Sequence, residues 1–393
     1  MKKGWEMKML GDVCQTGSGG TPLSSRKEYY EGGTIPWLLS GEVSQGEVRA
    51  ATKFITKVGL KNSAARLFPK DTVLVAMYGA TAGQVGILRF EAATNQAVCG
   101  ILPNKLFVPE FLFYYFLAKK EELVAQAVGN AQPNISQVKI RNTEIPVSPL
   151  PEQQRIVGVL DEAFAGLATA QATAEKNLQN ARALFESHLH SIFTQRGEGW
   201  VETTLDEVCG FQNGFAFKSS TFKPSGLPIL RISNIQDGKV DTKRLVFFDQ
   251  KDYRENLDRY RIIEDDLLIA MSGATTGKLG FNTKDTVFYL NQRVGKFEPS
   301  KKLNKRFLYH FLSTKVEENL RISAGAAQPN LSTEQIKSFV LPLPSNEEQE
   351  RIVDALESLA TETQRLESLY QKKLAALAAL KKSLLHQAFA GEL

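Results

Sequence analysis

The segment PLPEQQRIVGVLDEAFAGLATAQATAEKNLQNARALFESHLHSIFT, residues 149–194, decides the fold of this 393-residue chain. Beyond Pro151 it carries no proline and no Gly-Pro turn, and it is rich in Ala, Leu, Glu and Gln, which predicts one long helix. Pro151 suits the first helical position, with Glu152 and Gln153 in the first turn and Gly197 as the stop. Apolar residues step alternately by three and four: Ile156, Leu160, Ala163, Leu167, Ala170, Ala174, then Ala181, Leu184 and Ile192. That is a heptad seam, and a helix of about 43 residues runs ~65 Å at 1.5 Å per residue.

The segment has a twin. Residues 345–390 open on Ser345-Asn-Glu-Glu348, a capping-box spacing, and close on Gly391. Their seam is Ile352, Leu356, Leu359, Leu366, Tyr370, Leu377, Leu380 and Leu384. One seam is Ala-rich and the other Leu-rich, so small residues on one admit large ones from the other. The helix openings Glu152-Gln-Gln-Arg155-Ile-Val157 and Glu348-Gln-Glu-Arg351-Ile-Val353 stand 196 apart.

Working outward, the whole chain repeats. Gly4-Trp5 returns as Gly199-Trp200, and Leu10, Val13 and Cys14 return as Leu205, Val208 and Cys209, all at an offset of 195. The turn at Met77-Tyr-Gly-Ala-Thr-Ala-Gly83 returns as Met271-Ser-Gly-Ala-Thr-Thr-Gly277. Asn95-Gln96 matches Asn291-Gln292, and Ala131-Gln-Pro-Asn134 matches Ala327-Gln-Pro-Asn330. A period this long is no solenoid repeat; it is a tandem duplication of a complete unit. Each unit opens with about 145 residues of short β-rich runs, such as 72–76 and 266–270, cut by Gly, Pro and Asn turns. One helical stretch interrupts them, at 109–128 and 305–322.

The expected fold class is therefore α/β (α+β), as two tandem heads each followed by a long helix. The boundaries fall at 1–150, 151–197, 198–345 and 346–393. A helix so long overhangs a head of radius near ~15 Å, so the two helices are expected to pair. Pairing through a shared seam makes the second helix return along the first, antiparallel and with pseudo-two-fold symmetry. Leu393 then lies near Met1, and circular permutation should be tolerated.

Composition excludes several classes. Hydrophobic residues at 42% and charged residues at 23% are ordinary for a globular protein. The opening MKKGWEMKML lacks an apolar h-region, and the most apolar stretch, 106–118, is broken by Glu110. No signal peptide or membrane span is expected, and the location is expected to be cytoplasmic. Cys14, Cys99 and Cys209 show no paired spacing, and His188, His190, His310 and His386 form no zinc ligand set. The net charge of +5 is unevenly distributed: residues 1–150 carry 17 Lys/Arg against 12 Asp/Glu, and 200–346 carry 21 against 17. The helical segments 151–199 and 347–393 are each net −2. Basic heads alternating with acidic helices permit nucleic-acid contact by the heads.

Catalytic signatures are missing. The Gly273–Gly277 turn with Lys278 has three residues between its glycines where a P-loop has four, and its twin ends in Gln84. No G-x-S-x-G elbow or N-P-P-Y tetrad occurs, and the acidic run 264–266 reads as a solvated turn. A binder with two similar heads remains. On DNA the heads would read two different half-sites separated by an uncontacted stretch.

These residues resemble a known family. Gly20-Thr21-Pro22 with Tyr29-Tyr30 and Ile35-Pro36-Trp37, the GATAG and GATTG turns with their downstream Asn-Gln, and the PLPEQQRIV and LPSNEEQERIV helix openings are those of the specificity (S) subunit of type I restriction-modification systems, HsdS. The likeness covers essentially the whole chain, in both halves. It implies two target-recognition domains joined by an antiparallel coiled coil, each domain reading one half of a bipartite double-stranded DNA target. It also implies docking of two methyltransferase (M) subunits and, through them, restriction (R) subunits. S-adenosylmethionine, ATP and Mg2+ would then sit on those partners, with no cofactor, metal or catalytic residue in this chain. The second head departs from the first where Gln212–Phe217 replaces Gly19–Pro22. A two-headed scaffold that binds only proteins is the alternative.

Comparing the copies nominates DNA-contacting residues. Glycines shared by the two turns, with Thr81 and Thr275, point to backbone turns or phosphate contacts. Positions that differ beside them, Tyr78 against Ser272, Gln84 against Lys278 and Ala97 against Arg293, suit different half-site preferences. Arg26, Lys27, Arg231 and Asn234 lie in turn-rich stretches and join the candidates. The Gln-Pro-Asn turns at 132–134 and 328–330 read as structural. For helix pairing or partner docking the candidates are Ile156, Leu160, Leu167, Ile352, Leu356 and Leu366.

Overall fold

The computed structural model describes residues 4–125, 134–195, 197–236, 238–323 and 330–393, with the backbone helix alone for 316–323. The chain divides into two compact units, residues 1–176 with 371–393, and residues 177–370. Both long segments are continuous helices, Leu150–Thr194 and Asn346–Ala390. Each unit therefore contains the start of one long helix and the end of the other.

Within each unit these helix parts run antiparallel. In the first, Ile156 and Leu160 share a core with Leu385 and Ala388, and Arg155 Nη2 donates to the Leu393 carbonyl at 2.7 Å. In the second, Leu189 shares a core with Ile352 and Leu356, while Arg182 pairs with Glu367 at 3.1 Å. Leu167 and Leu366 are half-buried along the same seam. Two expected seam residues are not in it: Leu184 is 50% exposed and Leu380 47%. From Ala181 the seam steps by four to half-buried Phe185, because a 3.6-residue helix drifts against a strict 3.5 repeat. Thr363, absent from the predicted seam, is buried, its hydroxyl bonded back to the Leu359 carbonyl at 2.9 Å.

The helix ends follow their chemistry. Gly391 takes φ +79° beyond Ala390, the left-handed turn that favours glycine. The first long helix stops at Thr194, three residues short of Gly197. Ser345 Oγ accepts from Glu348 N at 3.3 Å, but the Glu348 carboxylate binds Arg351 at 2.6 Å, so only half of the expected capping box forms. Met1 lies outside the described residues; Trp5 and Leu393 pack in one core.

Each head has two main sheets. In the first, Thr16–Ser18, Val98–Ile101, Val73–Ala76, Val85–Leu88 and Glu47–Val48 form five strands in that order; Phe54–Ile55, Ile35–Leu38, Ala92–Thr94 and Leu67–Phe68 form four. The second head repeats the plan with six strands centred on Leu267–Ala270, and four containing Leu227–Leu230 and Phe288–Leu290. The central strand shows why its sequence is continuously apolar. Val73 and Val75 face the core shared with the helices, whereas Leu74 and Ala76 face the second sheet. Leu267 and Ile269, against Leu268 and Ala270, divide the same way. The interrupting helices are Pro109–Ala125 and Lys305–Ser323; the end of the expected 109–128 stretch lies outside the described residues.

Candidate nucleic-acid interface

The head is fastened to its long helix by one buried glutamine. Gln153 is fully buried; its Oε1 accepts from Val108 N at 2.9 Å, and its Nε2 donates to the Leu106 and Ser148 carbonyls, both at 2.8 Å. Gln349 does the same in the second unit, accepting from Asn304 N at 2.7 Å and donating to the Lys302 and Pro344 carbonyls at 2.9 and 3.0 Å. A primary amide supplies one acceptor and two donors, the set that these three backbone groups require. The pair was visible as the shared Gln of the two helix openings, although its role was not.

The strand Val73–Ala76 runs out into the Gly79–Gly83 turn. Gly79 and Gly83 have φ +70° and +78°, and Gly273 and Gly277 have +77° and +84°, so the repeated glycines are backbone requirements. Three further segments meet each turn. Met77 N donates to the Ala97 carbonyl at 2.8 Å, and Met271 N to that of Arg293 at 2.9 Å. Tyr78 bridges to Asn134 and Ser272 to Asn330, placing the last residue of each Gln-Pro-Asn motif beside the turn; Gln132, Pro133, Gln328 and Pro329 lie outside the described residues. Gly20 N donates to the Thr94 carbonyl and Phe215 N to that of Leu290, at 2.9 and 2.8 Å.

These bonds bring several candidates together in each head: Tyr78, Thr81 and the Asn95–Gln96–Ala97 bend in one, and Ser272, Thr275, Arg231 and Arg293 in the other. Tyr78, Gln96, Gln292 and Arg293 are exposed there, the two glutamines being surface amides that the comparison of unlike positions passed over. Thr21 Oγ1 donates to Gln96 Oε1. Thr81 Oγ1 donates to the Tyr78 carbonyl at 3.2 Å, whereas Thr275 Oγ1 is buried and has no hydrogen-bond partner among the described residues. The replacement of Gly19–Pro22 by Gln212–Phe217 leaves the backbone bonds in place and changes what fills the space. A β-carbon on Gly20 would meet the Ala64 backbone at 2.3 Å, while Phe215 packs on Phe217, Tyr253 and Tyr260.

Other candidates fall elsewhere. Arg26 and Lys27 are exposed around the Lys27–Tyr29 turn, with Arg26 3.5 Å from Glu28. Lys278 lines a groove of about 490 Å³ with Glu186, His190 and Tyr309 from the helical side, its Nζ 3.5 Å from Gln236 Oε1. Gln84 holds the matching backbone position in the first head, its carbonyl accepting from Ala76 N. Asn234 is corrected outright: it is 2% exposed, its Oδ1 accepts from Arg231 N at 3.0 Å, and its Nδ2 donates to the Asp241 and Arg244 carbonyls. Its amide closes a loop and cannot reach a base. In the acidic run, Asp265 pairs with Lys305 and Arg306. Among the described residues no group of three or more His, Cys, Asp or Glu could hold a metal, and no helix is long and apolar enough to cross a membrane.

The architecture is that of a two-headed recognition protein, and comparison with known proteins says which. The model of the type I restriction modification DNA specificity domain matches residues 2–178 and again 197–375. The chain belongs to that family, whose domain recognises DNA and is not catalytic. Similar proteins include the type I restriction enzyme MjaVIII specificity subunit of Methanocaldococcus jannaschii, 26% identical over 90% of this chain and 86% of that one. The EcoKI specificity subunit of Escherichia coli K12 is 24% identical over 100% of this chain and 90% of its own. Among solved structures, a chain from work on the assembly and conformational transition of a type I restriction-modification system superposes with a TM-score of 0.81 at 21% identity, covering 100% of this chain and 99% of that one. The HsdS subunit of Thermoanaerobacter tengcongensis gives 0.65 at 19% identity, covering 100% and 98%. These two likenesses concern the fold.

Proposed function

We propose that each head, residues 1–150 and 198–345, reads one half of a bipartite double-stranded DNA target with its turn cluster. The paired helices dock two methyltransferase subunits, and restriction subunits join through them to cleave DNA. The observation that carries this reading is the duplicated cluster, alike in backbone hydrogen bonding and unlike in surface side chains, which suits one mode of docking on two different sequences. Tyr78, Thr81, Gln84, Arg26 and Lys27 serve the first half-site, and Ser272, Thr275, Lys278, Arg231 and Arg293 the second. S-adenosylmethionine, ATP and Mg2+ belong on the partner subunits, and the complex works in the cytoplasm, where its DNA is.

Co-expression of the full chain with a type I methyltransferase subunit from the same genome, followed by mapping of methylated genomic positions, tests the proposal. A split motif with a fixed unspecified spacer is expected. Binding to a duplex carrying that motif should weaken roughly 10³-fold between 50 and 200 mM salt if about six phosphates are contacted. No complex with the methyltransferase and no binding to DNA would favour the protein scaffold.

A further inference from the structure

The two heads part company at one structurally equivalent position beside the turn cluster. In the first head the Leu38 carbonyl accepts from Asn95 N at 2.9 Å, and in the second the Leu230 carbonyl accepts from Asn291 N at 3.1 Å. The next residues, Leu39 and Arg231, are both extended, with φ −95° and −106°. Each then starts a short turn closed by a buried side chain three residues on: Leu39 N donates to Glu42 Oε2 at 2.8 Å, and Arg231 N to Asn234 Oδ1 at 3.0 Å. The second of these turns packs on Gly273–Thr275, where a β-carbon on Gly273 would lie 3.3 Å from Ile232 Cδ1. The backbone is thus the same, and a leucine in one head faces an arginine in the other.

The two side chains differ in how well their own head satisfies them. Leu39 packs on the cluster of Trp37, Ile55, Ala65 and Ala93. Arg231 is half-buried and its Nε is shut off from solvent; among the described residues that Nε has no hydrogen-bond partner and no carboxylate pairs with the guanidinium. Two other arginines in this head are engaged: Arg306 binds Asp265 and lies 3.7 Å over the Phe281 ring, and Arg259 lies 4.6 Å over Tyr260. The two terminal nitrogens are not shut off in this way, so they are what this guanidinium offers to a ligand. The buried, unpartnered Thr275 hydroxyl belongs to the turn alongside.

We propose that Arg231 is the specificity determinant of the second head, reading a guanine through its O6 and N7 in the major groove. This rests on the DNA-reading function proposed above. A base contact fits better than a phosphate contact, because phosphate contacts fix docking and carry no sequence information. Both heads need docking, yet Leu39 cannot supply it at this position. The rigid fork of a half-packed guanidinium matches the two acceptors of guanine, and leucine offers the first head nothing of the kind.

The test selects preferred sites from a randomised duplex pool with the full chain in complex with its methyltransferase subunit. Wild type is compared with Arg231→Gln, Arg231→Lys and Leu39→Arg. Arg231→Gln is expected to lose roughly 10- to 100-fold of guanine preference at a single position of one half-site, with the other half-site and the spacer unchanged. Arg231→Lys should retain a weakened preference at that position, which keeps the test open should the glutamine variant fold poorly. Leu39→Arg should alter only the opposite half-site. An unchanged consensus with uniformly weaker binding would make Arg231 a phosphate or packing residue and overturn the assignment. A wild-type complex that selects no split sequence would instead overturn the parent reading, and this one with it.

Discussion

Where a head meets its helix, the two copies agree down to individual acceptor and donor atoms; where the turns converge, they agree in backbone and differ at positions such as Tyr78 against Ser272 and Ala97 against Arg293, while both keep an exposed glutamine, Gln96 and Gln292. Gln153 and Gln349 make the same three bonds to corresponding partners. At the turn cluster the amides of Gly20 and Phe215 donate to equivalent carbonyls, yet one residue has no side chain and the other anchors an aromatic group. The junction performs one task twice, holding a head on a helix, so its chemistry can stay as it is. On the proposed reading the turn cluster meets two different half-sites from one scaffold, which would keep the scaffold and leave its surface free to change.

Between these extremes the units exchange parts. Tyr114 of the first unit packs edge-on against Phe164 of the first long helix, its hydroxyl bonded to Asp161. Its counterpart in the second unit is His310, which is 5% exposed and packs near Phe185, 21 residues further along that same helix. Lys381 from the second helix lies over the Phe164 ring at 5.0 Å in the first unit. The aromatic ring thus comes from the start of the first helix in one unit and from its end in the other. Volume at the junction is preserved while its source is not.

The sharpest test of the junction is Gln153→Ala and, separately, Gln349→Ala. Each strands one buried amide N–H and two carbonyls, and each should cost about 4 kcal/mol in its own unit. Hydrogen exchange resolved by unit should show loss of protection in residues 4–176 for one variant and in 177–370 for the other; unequal losses would break the equivalence. Next in size is an acid effect confined to the second unit. Burial, with Arg306 adding to it, pushes the His310 imidazole down to about 4. The folded state therefore holds it neutral. Its contribution is fully present above the ordinary value near ~6.5 and is lost as pH falls through that value towards 4, by up to about 3 kcal/mol. The difference between wild type and His310→Phe over that window isolates this contribution from carboxylate titration, and the first unit should show none of it.

The smallest effect is expected at the turn cluster. Gly20→Ala places a β-carbon against backbone at Ala64 and should destabilise the first head by about 1–3 kcal/mol. Phe215 occupies the equivalent position in the second head without such a clash, so the space there depends on the neighbouring loop. If thermal unfolding finds Gly20→Ala neutral, the two loops are more alike than their packing indicates.

Much of this was legible from residues alone. The duplication, the two 45-residue helices and their antiparallel association follow from periodicity and repeat spacing, which are local properties. The glycine turns were legible too, because a positive φ leaves few alternatives to glycine. The departures have separate causes. Leu184 and Leu380 were assigned to the seam by extending a strict repeat that the helix drifts away from. Asn234 stands in a turn-rich stretch, and nothing local reveals that the Asp241 and Arg244 carbonyls turn back onto it. Arg231 and Leu39 are 192 positions apart where the flanking matches are 194 to 196 apart, so their equivalence is hidden by unequal loops.

The sequence by itself determined the number of heads, the helices that join them, the turns that shape each binding face and the family to which the chain belongs. These rest on composition, spacing and backbone preference, which adjacent residues express without help. Only the tertiary structure decided which polar side chains are used up inside the protein and which remain unpartnered. Hydrogen-bond satisfaction depends on atoms brought together from distant segments: Gln153 and Asn234 find all their partners in the fold, whereas the Nε of Arg231 finds none.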